Sequence, residues 1–259
     1  MSEHAVLKPV PSQKPQNDLQ CKIAFVFDFP TNDEARLGKI MTGSVGRMFA
    51  QLVEILDIGV ENCLLTYAIS TKPAQENPAH FFHNRADYKA QCKTTDWRSK
   101  YSVSGFGYLK EDKEKDIERL ANELSAAQPN IIIAMGGLAL WALTGLDKVG
   151  TYRGTILNST NLSEDIKVLP TYSPSAIVRN YDFRPIALAD IKKALLESDS
   201  KEITTIEREL WIEPTIEDLQ KFEDKFIRGG NSDVPLSFDI ETASGDITCI
   251  GFAPSDRVA

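Results

Sequence analysis

The sequence has few of the residues that build metal sites and disulfide frameworks. Its 259 residues include 4 cysteines and 3 histidines, and Cys21, Cys63, Cys92 and Cys249 form no Cys-x-x-Cys pair. This spacing argues against a disulfide framework or a zinc site and is typical of reduced thiols in a cytoplasmic protein. No apolar run approaches the roughly 18 residues of a membrane span, and residues 1–20 lack the apolar segment of a secretory signal. We therefore expect a cytoplasmic protein with no membrane partner.

The sequence also lacks an excess of basic residues. Its net charge is −8, but residues 201–259 carry 13 acidic and 6 basic side chains, which leaves 24 acidic and 23 basic ones in residues 1–200. The first 200 residues are therefore nearly neutral. Near neutrality permits a local basic surface for nucleic acid without predicting one.

Short apolar runs alternate with helical patterns over the first 200 residues. This alternation predicts an α/β domain with a parallel sheet covered on both faces. Residues 74–108 interrupt the pattern with a polar, aromatic-rich stretch that lacks periodicity and is too long for a plain connector. The predicted strands are Lys22–Phe27, Cys63–Ile69, Asn130–Met135 and Ile166–Tyr172, and the predicted helices are Val45–Leu56, Lys113–Ala127, Leu138–Thr144 and Ala187–Leu196.

A different pattern begins near residue 200. Thr215–Ile227 predicts a short helix, and Pro235–Glu241 with Ile247–Ala253 predicts a β-hairpin. Two strands cannot bury a core by themselves, so the second domain is expected to be truncated. The predicted organisation is a flexible leader at 1–20, an α/β domain at 21–199, a linker and lead-in helix at 200–234, and the start of a second domain at 235–259.

Four segments of the α/β domain resemble, in order and spacing, the motifs of the uracil-DNA glycosylase superfamily, particularly its family-4 branch. They are Phe25–Arg47, Thr66–Pro73, Pro129–Ala139, and Arg153-Gly154 followed by Leu169–Arg179. The resemblance implies a three-layer α/β/α domain around a central parallel four-stranded sheet. It also implies that DNA is the partner, because these enzymes flip a base out of the helix into a pocket.

The first loop of the family-4 pattern reads Gly-Glu-x-Pro-Gly and carries the carboxylate that serves the water or the oxocarbenium ion. Here the aligned residues are Phe27-Asp28-Phe29-Pro30-Thr31. The resemblance therefore assigns the catalytic carboxylate to Asp28, which is one methylene shorter, and places Phe29 and Pro30 in the base pocket.

The other pocket positions depart from the family pattern. The base-stacking aromatic corresponds to Met41, the base-pairing Asn to Tyr67, and the His of the late His-Pro-Ser motif to Ser173. Loss of a hydrogen-bond donor to a developing anion costs about 10²–10³ in rate. The substitutions predict that classical uracil excision is lost.

The family's iron–sulfur cluster is also expected to be absent, because Thr71 and Asp116 align with two of its cysteine ligands. DNA-backbone contact is expected to remain, since the loop that opens the Val45–Leu56 helix could hold a phosphate. The alternative is that its glycines serve turns and that Arg153 and Arg179 form surface ion pairs. The candidate backbone contacts are Gly43, Ser44, Arg47, Arg153, Ser175 and Arg179.

Residues 238–242 (Phe-Asp-Ile-Glu-Thr) resemble the first motif of DEDD-type 3′–5′ exonucleases, which have a ribonuclease-H-like fold. The Asp-x-Glu spacing on a strand puts Asp239 and Glu241 on one face, where two carboxylates could bind Mg²⁺ or Mn²⁺ as catalytic metal ions. A solvated strand edge is the alternative. Only Asp246 and Asp256 follow as further carboxylates, so these 259 residues by themselves are expected not to form an active nuclease.

The two parts in this order resemble the N-terminal part of a bacteriophage family-A DNA polymerase, which would act in the host cytoplasm. Three functions stay open. The main prediction is the N-terminal part of a replication and proofreading enzyme whose glycosylase-like domain binds DNA without excising bases. The first alternative is an active DNA glycosylase of altered base specificity that uses Asp28. The second alternative is a module that docks other replication proteins, with the 74–108 stretch as its surface.

Overall fold

The apolar runs of the first 200 residues form one sheet in the computed structural model, which describes residues 8–16, 21–161, 165–203, 207–229, 235–255 and 257–259. Parts of the predicted leader (residues 1–7 and 17–20) and Asp256 lie outside these ranges. The chain divides into two units, residues 1–203 and 204–259. The strands of the first unit are β1 (Ile23–Phe27), β2 (Leu64–Tyr67), β3 (Phe82–His83), β4 (Tyr108–Leu109), β5 (Ile131–Met135), β6 (Leu157–Asn158) and β7 (Lys167–Thr171). Its helices are α1 (Asn32–Leu37), α2 (Gly43–Ile55), α3 (Arg85–Thr94), α4 (Glu111–Ala127), α5 (Gly137–Thr144), α6 (Val149–Tyr152), α7 (Pro174–Arg179) and α8 (Phe183–Leu196).

The central sheet has the strand order β2-β1-β5-β7-β6. The four predicted strands are parallel, as expected, and β6 adds a fifth, antiparallel strand at the edge. The prediction of four strands therefore missed β6. This strand has only two residues, which is too few to show a periodic pattern.

The register aligns the carboxyl ends of the four parallel strands. Tyr67, Phe27, Met135 and Thr171 lie side by side as Cα partners in one row across the sheet. The loops that leave this row therefore begin at one edge, and in parallel α/β sheets this is the edge where ligands bind.

Alternate side chains of the strands enter two separate cores, one on each face of the sheet. On one face, Ala24 and Val26 of β1 pack with residues of α4 and α5. On the other, Phe25 and Phe27 pack with residues of α2, α7 and α8. The three-layer α/β/α arrangement follows from this alternation.

The 74–108 stretch contains more regular structure than its sequence indicates, namely α3 and a small antiparallel hairpin of β3 and β4. Helix α3 buries none of its residues, so it has no apolar stripe that periodicity could detect. Ring contacts hold this stretch in place instead: Tyr88 stacks on Tyr108 with ring centroids 3.9 Å apart, and Phe82 packs on Trp141 at 5.2 Å.

The second unit consists of helix α9 (Ile216–Phe222), a π-helical turn at Glu223–Arg228, and the antiparallel hairpin of β8 (Ser237–Ala243) and β9 (Asp246–Ala253). Ser244 and Gly245 have positive φ angles and form the tight turn of the predicted hairpin. Across both units, none of the helices within the described ranges has the length and apolar character needed to cross a membrane.

Candidate functional site

Asp28 directly follows β1 at the edge where the parallel strands end. Its Oδ1 accepts a hydrogen bond from the backbone N–H of Ala139 at 2.9 Å, and the N–H of Leu138 also donates to the carboxylate. Both donors belong to the first turn of α5. The carboxylate therefore lies at the positive end of a helix dipole, held by a segment that is far away in sequence.

Burial makes the Asp28 carboxyl a weak acid. Desolvation raises its pKa from 3.8 to about 6, although the hydrogen bonds from α5 and the charge of Arg179 act in the opposite direction. The group is therefore ionised at neutral pH and becomes protonated below pH 6. A carboxylate with a pKa near neutrality is suited to accept a proton from water or to stabilise a nearby positive charge.

Gly136 is required where β5 meets the carboxylate. Its φ is +123°, and a Cβ on this residue would lie 2.2 Å from Asp28 Oδ2. Any side chain here would displace the carboxylate. The site therefore requires glycine at position 136, a reason that the family motif alone does not give.

The two predicted pocket residues after Asp28 lie beside it. Pro30 is buried and Phe29 is partly buried. The Phe29 ring contacts that of Phe81 edge-on, with centroids 5.9 Å apart. This contact links the Asp28 loop to the segment that follows β2.

Glu34 is a buried anchor of the same loop that the sequence interpretation missed. Its side chain accepts hydrogen bonds from Thr31 N (2.7 Å), Thr31 Oγ1 (2.8 Å) and Met41 N (2.8 Å), and the residue has no exposed surface. The Thr-x-x-Glu spacing of a helix capping box was the available signal. These bonds fix the backbone of Met41, which has a φ of +52°.

Tyr67 fills space rather than lining an open pocket. It is 1% exposed, and its ring lies 6.1 Å from that of Phe27. Burial and the neighbouring Glu34 carboxylate raise the pKa of its hydroxyl. The structure therefore brings Tyr67 and Met41 together through Glu34, on the α2 side of the sheet.

Ser173 has a structural partner. It is the N-cap of α7, and its Oγ accepts a hydrogen bond from Ala176 N at 3.2 Å. This bond occupies the hydroxyl's acceptor oxygen but leaves its proton free.

The start of α2, a predicted phosphate site, has a carboxylate beside it. A Cβ on Gly43 would lie 2.3 Å from Asp33 Oδ2, so the Asp33 side chain packs on the first turn. Ser44 and Arg47 are exposed on the same helix. A phosphate at this turn would meet the charge of Asp33 unless that side chain moved aside.

Arg153 and Arg179 have different surroundings. Arg153 forms a bidentate ion pair with the buried Asp190 through Nε (3.0 Å) and an Nη (2.7 Å). Thr171 Oγ1 also donates to Asp190, at 2.8 Å. The ion pair that the sequence left as an alternative is thus the arrangement seen for Arg153. Arg179 and the partly buried Ser175 lie on α7, with Arg179 exposed and close enough to influence Asp28.

Thr71 and Asp116, which align with two cluster ligands, both line a groove between the segment that follows β2 and helix α4. Asp116 accepts hydrogen bonds from Ser70 N (3.0 Å) and Ser70 Oγ (2.6 Å). Within the part of the chain that the structure describes, no group of three or more His, Cys, Asp or Glu side chains could hold a metal ion.

Asp239 and Glu241 occupy alternate positions of β8, opposite Gly251 and Cys249 of β9. They therefore share one face of the hairpin, as the spacing predicts. Both residues are exposed, and Asp239 Oδ1 accepts a hydrogen bond from Ile240 N at 2.9 Å.

Comparison with known proteins agrees with this geometry. Residues 15–196 match the Uracil DNA glycosylase superfamily. Because the match covers more than half of the chain, the protein belongs to that superfamily, which confirms the predicted family and its α/β fold. The chain is also similar to the Type-4 uracil-DNA glycosylase of Archaeoglobus fulgidus, with 20% identity over 179 residues that cover 67% of this chain and 75% of that protein. The exonuclease resemblance of residues 235–259 and the polymerase resemblance of the two parts together stay predictions.

Proposed function

We propose that the first unit is a DNA glycosylase whose base specificity differs from that for uracil, with Asp28 as its catalytic carboxylate. The observation that carries the proposal is the Asp28 carboxylate itself, with its pKa of about 6 and its two hydrogen bonds from α5 at the carboxyl edge of the sheet. Superfamily membership and the similarity to a uracil-DNA glycosylase support DNA as the substrate.

In the proposed reaction, the bond between the base and C1′ of the sugar breaks and the base leaves with the electron pair. The ionised Asp28 stabilises the positive charge that develops on the sugar and orients the water that adds to C1′. The proton of that water passes to the carboxylate or to the departing base. Activity should therefore require the deprotonated form of Asp28.

The substrate is expected to be a modified pyrimidine that leaves easily. No imidazole lies at position 173, and the Ser173 hydroxyl is a weaker donor to a departing anion than imidazole. A base whose anion is intrinsically more stable than that of uracil needs less help from such a donor. The buried Tyr67 also leaves less space for the base than an Asn would.

The test is abasic-site formation in single- and double-stranded oligonucleotides that carry a panel of modified pyrimidines, with uracil included. We expect excision of at least one modified base, and a loss of about 10²-fold or more in Asp28→Asn. Asp239→Asn is the matched control and should retain full activity. No excision across the panel, or an unchanged Asp28→Asn variant, would contradict the proposal.

DNA binding without excision is the second candidate, and the weaker donor at Ser173 and the buried Tyr67 favour it. In that case the chain binds the same oligonucleotides but releases no base.

We also propose that the protein holds no iron–sulfur cluster. Stoichiometric iron in the purified protein would contradict this proposal.

We also propose that the β8–β9 hairpin belongs to a 3′–5′ exonuclease site and hence to a replication enzyme that works with other replication proteins. The shared face of Asp239 and Glu241 supports this proposal. These two carboxylates would hold the Mg²⁺ or Mn²⁺ that activates water for phosphodiester cleavage. Electron paramagnetic resonance titration with Mn²⁺ should show weak binding that Asp239→Asn with Glu241→Gln removes, and equal binding by both proteins would contradict it.

A further inference from the structure

A groove of about 780 Å³ opens beside the candidate site. Its walls are the segment that follows β2, the 3₁₀ turn at Pro78–Phe81, and the first half of α4. The proposed reaction gives this groove no role.

The acidic groups deep in the groove are already engaged. Asp116 is buried and bound by Ser70, and Arg119 Nε lies 3.7 Å from the same carboxylate. Arg119 is also engaged with the end of β2, where it donates to the carbonyl of Tyr67 at 2.6 Å. Its other ion pair is with Glu123, at 2.8 Å. Asp116 and Arg119 are therefore engaged with side chains and backbone of the groove wall, and the remaining side chains decide what the groove binds.

Three of those remaining side chains are lysines, namely Lys72, Lys113 and Lys115. Lys113 Nζ lies 3.3 Å from Thr71 Oγ1 and 5.8 Å from the centre of the Phe81 ring, which places it in the groove. The neighbouring Asp112 lies 3.3 Å from the same ammonium but is largely exposed. Lys72 Nζ, in the segment that follows β2, contacts the carbonyl of Pro73 at 3.5 Å, and Lys115 is exposed on the α4 wall. Three ammonium groups and a hydroxyl are ligands for an anion.

The groove is continuous with the Asp28 loop. The N–H of Ile69 donates to the Asp28 carbonyl at 3.2 Å, and the lining segment starts with the next residue. Phe81, which lines the groove, also contacts Phe29 of the loop. A chain of phosphates that leaves the Asp28 site in this direction would therefore enter the groove.

We infer that this groove binds the phosphodiester backbone of the DNA strand that flanks the nucleotide at Asp28, through Lys72, Lys113 and Lys115. The inference rests on the proposed action on DNA, but it concerns binding and not excision. Each phosphate contact releases a counterion, so it contributes to the salt dependence of the affinity.

The experiment measures fluorescence anisotropy of a fluorescein-labelled oligonucleotide, single- and double-stranded, with the full chain over a range of salt concentrations. For K72A/K113A/K115A we expect affinity to fall about 10-fold or more at low salt. The negative slope of log K, the association constant, against log salt should become shallower by about 2–3. Because Lys113 packs on Phe81, K72A/K115A is measured as well, since it keeps that contact. It should make the negative slope shallower by about 2.

Two controls separate this groove from general charge loss. Lys192→Ala removes an exposed lysine of α8, which packs on the opposite face of the sheet, and should leave affinity and slope unchanged. The triple arginine variant K72R/K113R/K115R should bind like the native chain. Native-like binding by both alanine variants, an equal loss in Lys192→Ala, or no DNA binding by the native chain would overturn the inference.

The outcomes also separate this inference from the proposed glycosylase. Asp28→Asn should abolish excision and keep the salt slope, whereas the groove variants should raise KM for DNA and keep kcat. If the panel shows no excision but the groove variants weaken binding, the glycosylase proposal fails and the groove stands.

Discussion

Two strands of this protein carry an aspartate next to a phenylalanine, and their surroundings are opposite. Phe27 ends β1 and Asp28 directly follows it; every residue of that strand is buried, and two layers of helices cover the sheet. Phe238-Asp239 lies within β8, whose residues are all exposed. Asp28 is bound by a distant helix, and Asp239 by the N–H of the next residue. An apolar strand with a carboxylate becomes a site only when other segments surround it.

The surroundings of Asp28 change its acidity. Desolvation raises the pKa of Asp28 to about 6. The packing of the whole first unit compensates for the free-energy cost of burying this carboxylate. On the hairpin, Phe238 and Ile240 lie on the face opposite Asp239, and they are 67% and 42% exposed. Asp239 itself is exposed, like every other residue of β8. Matched substitutions in the two regions test whether surroundings, and not residue type, account for the difference.

The largest expected effect comes from the glycine that faces each aspartate. Gly136→Ala puts a Cβ 2.2 Å from Asp28 Oδ2 at a φ of +123°, whereas Gly251, opposite Asp239, has no atom within 4 Å of an added Cβ. We expect Gly136→Ala to destabilise the first unit by about 3 kcal/mol or more, and Gly251→Ala to change stability by less than about 0.5 kcal/mol. Urea denaturation followed by circular dichroism measures both. Equal effects would mean that Gly136 does not support the carboxylate.

Glu34 and Glu241 give the next contrast. Glu34→Gln replaces a buried carboxylate that accepts three hydrogen bonds, so one amide N–H must face a donor. The expected cost is about 2 kcal/mol. Glu241→Gln on the exposed strand should cost less than about 0.5 kcal/mol. The same denaturation experiment decides, and a neutral Glu34→Gln variant would show that the Met41 loop does not depend on this carboxylate.

Most of the first unit could be predicted from the sequence because its strands and helices are buried. The runs at Ile23–Phe27 and Ile131–Met135 are apolar on both faces, and α2 and α4 carry clear apolar stripes. Helix α3 could not be predicted, because aromatic stacking and not an apolar stripe holds it.

The candidate site was only partly predictable for a related reason. The family motif locates Asp28, but the backbone N–H that holds its carboxylate belongs to Ala139 of α5, which is 111 positions away in sequence. The pairing of Arg153 with Asp190 also joins distant segments. Local sequence patterns mark such residues as polar positions within a motif. Only the fold shows which residue each of them binds.

A smaller effect should appear when the stability of Asp28→Asn is followed against pH. Because the folded pKa of about 6 lies above the usual 3.8, the native fold binds a proton more tightly than the unfolded chain, and its stability falls as pH rises through this window. The Asp28→Asn variant has no carboxyl group at this position, so its stability does not fall in this way. We therefore expect its free energy of unfolding, relative to that of the native protein, to increase by about 2 kcal/mol between pH 4 and pH 7. A difference that does not change with pH would contradict the desolvated carboxylate.

The smallest effect contrasts two isoleucines at matched strand positions. Ile133 of β5 has no exposed surface, and Ile250 of β9 is 46% exposed. Ile133→Val removes a methyl group from a packed core and should cost about 1 kcal/mol, while Ile250→Val should cost almost nothing. Thermal unfolding followed by circular dichroism is sensitive enough to separate the two. A cost at Ile250 equal to that at Ile133 would mean that the hairpin face is covered in solution, and the contrast between β1 and β8 would then no longer hold.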